Sequence, residues 1–155
     1  MKNKIILGVI LVFAVMQLFR IEKVEYQEPT ENGIRMYENP SKQVTQLLDE
    51  TCLNCHSNQI TYPWYSEIAP VSWWIADHIE EGREHVNFSE WGQYSAAKKE
   101  HKAEESWEEI EEKEMPLESY VFAHSEADLT AEEREILIKY FNQSYAGEAW
   151  SEKNS

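Results

Sequence analysis

Thr51-Cys52-Leu53-Asn54-Cys55-His56 constrains this chain more than any other stretch. Two cysteines stand two residues apart and a histidine follows at once, which is the attachment sequence for a c-type haem. Each thiol can add to one vinyl group of a porphyrin, giving two thioethers. The spacing lets Cys52 and Cys55 reach neighbouring vinyls from one turn of helix, and His56 then comes up under the ring to bind the iron. Only 2 cysteines occur in 155 residues, so no other thiol competes. Three other readings stand beside this one. A thiol–disulfide redox pair also uses C-x-x-C, but in a βαβ setting, and no strand-rich run lies nearby. A zinc site needs a fourth ligand, and these three groups are crowded for one tetrahedral metal. A chance match on a helix is the third.

Length fits one domain. The chain is 42% hydrophobic with 6 Trp, 8 Tyr and 5 Phe, the composition of an ordered protein. So aromatic a core suits a small chain wrapped on a large flat cofactor, since a short chain otherwise buries little apolar surface. Net charge is −15. Such a surface repels nucleic acid and anionic lipid and steers toward a partner with a basic docking face. Plain solubility is the alternative reading of the same charge.

Residues 1–20 carry Lys2 and Lys4, then an apolar run over 5–19 broken only by Gly8 and Gln17, then Arg20. This pattern is an export signal or a membrane anchor. The run is shorter than most full spans, which use about 17–25 residues, and longer than most signal-peptide cores. Ala14-Val15-Met16 ends in a large residue, so no small-x-small cleavage site closes it. The expectation is an uncleaved N-terminal anchor whose basic ends snorkel to the interfaces. Basic residues at the start place the remainder outside the cytoplasm, on the periplasmic face of the inner membrane. Haem c is attached on that side, so the two signals agree. Residues 21–40, with Pro29, Asn32-Gly33 and Pro40, read as a polar linker.

Ser41 can cap a helix. Val44, Leu47, Leu48 and Thr51 then recur at helical spacing and deliver the cysteines. An amphipathic helix followed by C-x-x-C-H resembles the opening of class I cytochromes c. Five aromatic residues, Tyr62, Trp64, Tyr65, Trp73 and Trp74, come next within thirteen positions, interrupted by Pro63 and Pro70. Two prolines rule out one continuous helix. Indole and phenol groups here can bond haem propionates while their rings cover the porphyrin; filling the core is the alternative for each. From Val71 to about Arg83 the spacing predicts a helix, with Trp74, Ile75, His78, Ile79 and Gly82 on one side. His78 reads as a packed or hydrogen-bonded core histidine. Arg83 can pair with a propionate or with a surface acid.

The run 52–58, Tyr62-Pro63-Trp64-Tyr65-Ser66, Ile68-Ala69-Pro70-Val71-Ser72-Trp73-Trp74, His78-Ile79, Glu81-Gly82-Arg83 and Asn87-Phe88-Ser89-Glu90-Trp91 resembles the haem-binding domain family of small exported bacterial proteins. Gln17-Leu18-Phe19-Arg20, Glu114-Met115-Pro116-Leu117, Tyr120 and His124 extend the resemblance over nearly the whole chain. It implies a covalent monohaem domain, and no particular physiological reaction, because the family is named for its cofactor.

Ser89 is a candidate cap for the next helix, with Trp91, Tyr94, Trp107 and Ile110 as its apolar contacts. Between 100 and 114 stand eight acids and two lysines, Lys102 and Lys113. This is an acidic docking face or simply a solvated helix face; His101 within it is expected to be exposed. Pro116 disfavours a helical Met115, which leaves that methionine to project from a loop. A thioether is soft and proton-free, and His/Met ligation belongs to high-potential cytochromes c. Met115 also stands where class I cytochromes c keep their distal ligand. Met115 is therefore the expected distal ligand, with His124, His78, His85 and His101 as rivals. Thr130-Ala131-Glu132-Glu133 forms a capping box. Ile136, Leu137, Tyr140 and Phe141 come after it on a helix expected to cross the one at 44–51.

The expected architecture is all-α, a cytochrome c-like domain over 41–146 with three to five helices, a long aromatic loop and a tail at 147–155. The expected function is one-electron transfer by a single covalent haem c. It is held by Cys52 and Cys55, ligated by His56 and Met115, and contacted by Tyr62, Trp64, Trp73, Trp74 and Arg83. The partner is another redox protein. A peroxide-reducing enzyme or a haem-based gas or redox sensor is the second class, and a haem-free thiol redox protein the third.

Overall fold

The computed structural model describes residues 1–145; the expected tail at 147–155 lies outside them. The described residues are helical, with no strand among them. In chain order they form α1 (Lys2–Met16), α2 (Ile34–Tyr37), α3 (Lys42–Thr51), a three-ten turn Trp64–Glu67 and α4 (Val71–His85). A second three-ten turn Phe88–Gln93 leads to α5 (Ala96–Glu111), α6 (Glu118–Ala123), a third turn Ser125–Ala127 and α7 (Ala131–Tyr145). The domain expected at 41–146 holds five α-helices among the described residues, α3 to α7, within the expected three to five. α2 and α6 are four and six residues long, too short to show a helical period.

Local chemistry sets the ends. Ser41 Oγ accepts from the Val44 amide at 3.3 Å and starts α3. At α7 the Glu133 carboxylate accepts from the Thr130 amide at 2.9 Å, and Thr130 Oγ1 accepts from the Glu133 amide at 3.2 Å. These reciprocal bonds are the expected capping box. Ser89 does not cap α5: it sits inside the second three-ten turn, and Ser95 caps α5 by accepting from the Lys98 amide.

α7 lies along α5 and also meets α3, as expected for the last helix. Leu48, Leu137, Phe141, Trp91 and Ile34 are the fully buried centre. Phe88 stacks on Phe141 at 5.9 Å and meets Trp91 at 5.6 Å.

The linker expected at 21–40 is corrected in part. Ile34 is 1% exposed and belongs to the core. The Gln27 amide donates to Asn58 O at 2.9 Å, the Gly92 amide to Asn32 O at 2.7 Å, and Arg35 pairs with Asp49 at 2.7 Å. A single apolar side chain on a four-residue helix carries no period, so this docking is invisible to pattern reading.

α1 is 15 residues long and buries none of its side chains. No helix among the described residues is long and apolar enough to cross a membrane. The segment just past α1 is tied to the domain. The Gln17 amide group donates to Ala69 O at 3.1 Å and accepts from the Ala69 amide at 3.0 Å. Trp73 Nε1 donates to Phe19 O at 2.7 Å. Arg20 and Lys23 both pair with Glu67.

Candidate functional site

α3 ends at Thr51, but its last turn continues through the cysteines. The Cys52 amide donates to Leu48 O at 3.0 Å, and Cys52 O accepts from Cys55 at 3.2 Å and His56 at 3.0 Å. Leu53 is buried between the two cysteines, and Ser57 Oγ donates back to Leu53 O at 2.6 Å. The core thus pins the turn and puts both thiols and the imidazole on one piece of backbone. Both thiols are free and half-buried. Burial pushes each up to about 11, outweighing the Thr51 hydroxyl that contacts Cys52 Sγ at 3.2 Å. At neutral pH they are thiols, whereas a dithiol built for disulfide exchange has a depressed pKa.

His56 Nδ1 lies 2.7 Å from Gly82 O, the α4 carbonyl facing it. A carbonyl only accepts, so Nδ1 carries the proton and Nε2 the lone pair. This is the usual support of a metal-binding histidine, in which a backbone oxygen fixes the tautomer and the ring. Burial lowers the imidazole below 6.5, against the opposing pull of the Gly82 and Val86 backbone. The ring is therefore neutral and fit to be a ligand. Gly82 lets α4 approach the ring closely: a Cβ there would meet His56 Cε1 at 3.3 Å, tight enough to displace it by a few tenths of an ångström, and Cys55 O at 3.5 Å.

Beside this turn lies an apolar cavity of about 90 Å³. Cys55, Asn54, Ile60, Tyr62, Pro63, Tyr65, Trp74, Ile75, His78, Ile79, Leu117, Tyr120 and His124 are among its lining residues. Of the expected contacts, Cys55, Tyr62 and Trp74 line it. Cys52, His56 and Met115 do not: Cys52 packs against the core, His56 stands one residue from Cys55 and Met115 two from Leu117.

Three expected cofactor contacts lie outside the cavity lining. Trp64 is 77% exposed and outside the lining. Trp73 spends its indole N–H on Phe19 O. Arg83 donates through Nη2 to Asn58 Oδ1 at 2.8 Å, in a polar cluster that Asn87 joins at 2.9 Å. These bonds join residues 25 to 54 apart, so spacing alone could not have foretold them. The expected exposure of His101 is observed: it is solvent-facing and pairs with Glu105 at 3.1 Å.

Sequence reading missed a polar group on the cavity wall. Tyr65 Oη and His124 Nε2 are 2.7 Å apart, His124 Nδ1 meets Glu126 at 3.2 Å, and Tyr120 stacks on His124 at 4.4 Å. Asn54, between the two cysteines, donates to Tyr120 Oη at 2.9 Å. His78 Nδ1 lies 2.9 Å from Trp74 O, one turn earlier on α4.

Met115 follows a well-defined helix end. Lys113 has φ 65°; its amide donates to Ile110 O at 3.3 Å and the Glu114 amide to Glu109 O at 3.0 Å. This is a Schellman ending with lysine in the place glycine usually takes. Arg134 Nη1 then donates to both Ile110 O and Met115 O at 2.9 Å, tying the loop to α7.

The sequence pattern of the haem-binding domain family matches residues 11–143. The chain belongs to the haem-binding domain family. The match takes in Gln17, the C-x-x-C-H turn and most of α7. No curated protein and no solved structure matches the chain. The residues of this haem-binding domain fit the group. Two thiols share a turn with a neutral, tautomer-fixed histidine, and the cavity that Cys55 lines is apolar.

Proposed function

We propose that this haem-binding domain is a c-type monohaem electron carrier working outside the cytoplasm. The observation that carries the reading is the bond from His56 Nδ1 to Gly82 O, one residue from a cysteine pair beside the cavity. Haem, when bound, supplies an iron that accepts and releases single electrons. The chain's part is to hold, orient and shield it. In this reading Cys52 and Cys55 would hold the ring to the end of α3 through thioethers, and His56, its Nδ1 held by Gly82, would give Nε2 to the iron. Met115 would be the second ligand, on a loop whose backbone Arg134 already clamps. Tyr62, Trp74, Ile60, Ile79 and Leu117 exclude water. The acidic α5 favours a redox partner with a basic face, and α1 attaches the protein to the membrane across which it was exported.

The test is a haem stain of the denatured chain, made with the attachment machinery present, together with oxidised and reduced spectra. Retained stain and a six-coordinate low-spin spectrum in both states are expected. A second reading, a peroxide-reducing enzyme, is favoured by the Tyr65–His124–Glu126 group on the cavity wall. High-spin iron that binds carbon monoxide readily supports it instead. The thiol redox reading is disfavoured by thiols held near 11.

A further inference from the structure

α1 is apolar on every face and buries nothing in the protein, the pattern of a helix whose solvent is lipid. At about 1.5 Å per residue its 15 residues reach about 22 Å, against a hydrocarbon core of about 30 Å. A helix this short buries its apolar side chains in lipid only if its C-terminal end is drawn down to the interface. That end is not free. Gln17 makes two bonds to the Ala69 backbone, and Trp73 bonds Phe19 O, so whatever level the helix end takes, the start of α4 takes too. The surface there is apolar and open: Leu18 is 79% exposed, Phe19 64%, Trp74 45%, with Val71 and Trp73 beside them. Indoles at such a level gain from an interface that is apolar on one side and wet on the other. Arg20 and Lys23, paired with Glu67 just behind, mark its polar limit.

We propose that the rim of Leu18, Phe19, Val71, Trp73 and Trp74 lies in the headgroup region of a lipid bilayer, locked there by the Gln17–Ala69 pair. The proposal rests on the reading of α1 as a membrane-attached helix. Because Trp74 also lines the haem cavity, the cavity's Trp74 side lies at the membrane surface and the acidic α5 is left to other partners.

The test uses the full haem-loaded chain in phosphatidylcholine vesicles containing a lipid with a photoactivatable group high on its acyl chain. Cross-linked residues are mapped by mass spectrometry. Label on α1 and on the rim is expected, and Gln17→Ala should keep the α1 label while the rim label falls severalfold. Label confined to α1 overturns the rim proposal and leaves membrane attachment standing. No vesicle binding overturns both. Chain-to-chain cross-links through the rim also overturn it, by giving the face to a second copy.

Discussion

Gly82 O and His56 Nδ1 are 2.7 Å apart, which couples the last turn of α4 to the histidine that follows the cysteine pair. Two demands meet at Gly82. Alanine would favour the helix by about 0.5–1 kcal/mol, yet its Cβ would stand 3.3 Å from His56 Cε1 and push the ring by a few tenths of an ångström. Gly82→Ala is therefore expected to change the stability of the haem-free chain by no more than about 1 kcal/mol while shifting the haem's ligand-sensitive bands and potential. Denaturation and spectra of one sample check this. Unshifted bands and potential contradict a supporting role for Gly82.

The distal ligand separates along a similar line. Met115→Ala should lower the midpoint potential and replace the low-spin spectrum, since loss of a thioether removes a ligand that favours Fe(II). His124→Gln should leave both in place, because both ring nitrogens of His124 already have partners, Tyr65 and Glu126. The reverse pattern assigns the ligand to His124.

Lys113 holds a left-handed conformation, φ 65°, that costs a side-chain-bearing residue about 1–2 kcal/mol. Lys113→Gly is expected to raise stability by roughly 1 kcal/mol, read from the urea midpoint, without moving the haem bands. A loss of stability would show that Lys113 makes a contact worth more than the strain.

The haem-free fold should weaken in acid through His56. Burial depresses its pKa below the ordinary 6.5, so the unfolded chain takes the proton first. The contribution is complete above about pH 6.5 and is lost as pH falls from there through the folded value. Urea midpoints between about pH 8 and about pH 5 should fall more for the native chain than for His56→Gln. Equal slopes contradict the assignment.

Range decides which of these features the sequence makes legible. α3, α4 and α7 announce themselves through apolar spacing and caps, and Thr130–Glu133 is fully local. The C-x-x-C-H turn is local too, and so is its chemistry. Gly82 lies 26 residues from His56, and nothing in a helical glycine tells which side chain its carbonyl will meet. Trp73 and Arg83 are expected at the cofactor because their chemistry suits it. Tertiary packing gives the Trp73 indole N–H to Phe19 and one Arg83 nitrogen to Asn58. Ile34 enters the core from a stretch that reads as linker.

The intact mass of the chain, purified under denaturing conditions from a host that attaches haem c, tests the central claim most directly. The account predicts the polypeptide plus one haem, with neither Cys52 nor Cys55 open to alkylation. The bare polypeptide mass with both thiols alkylated would contradict it.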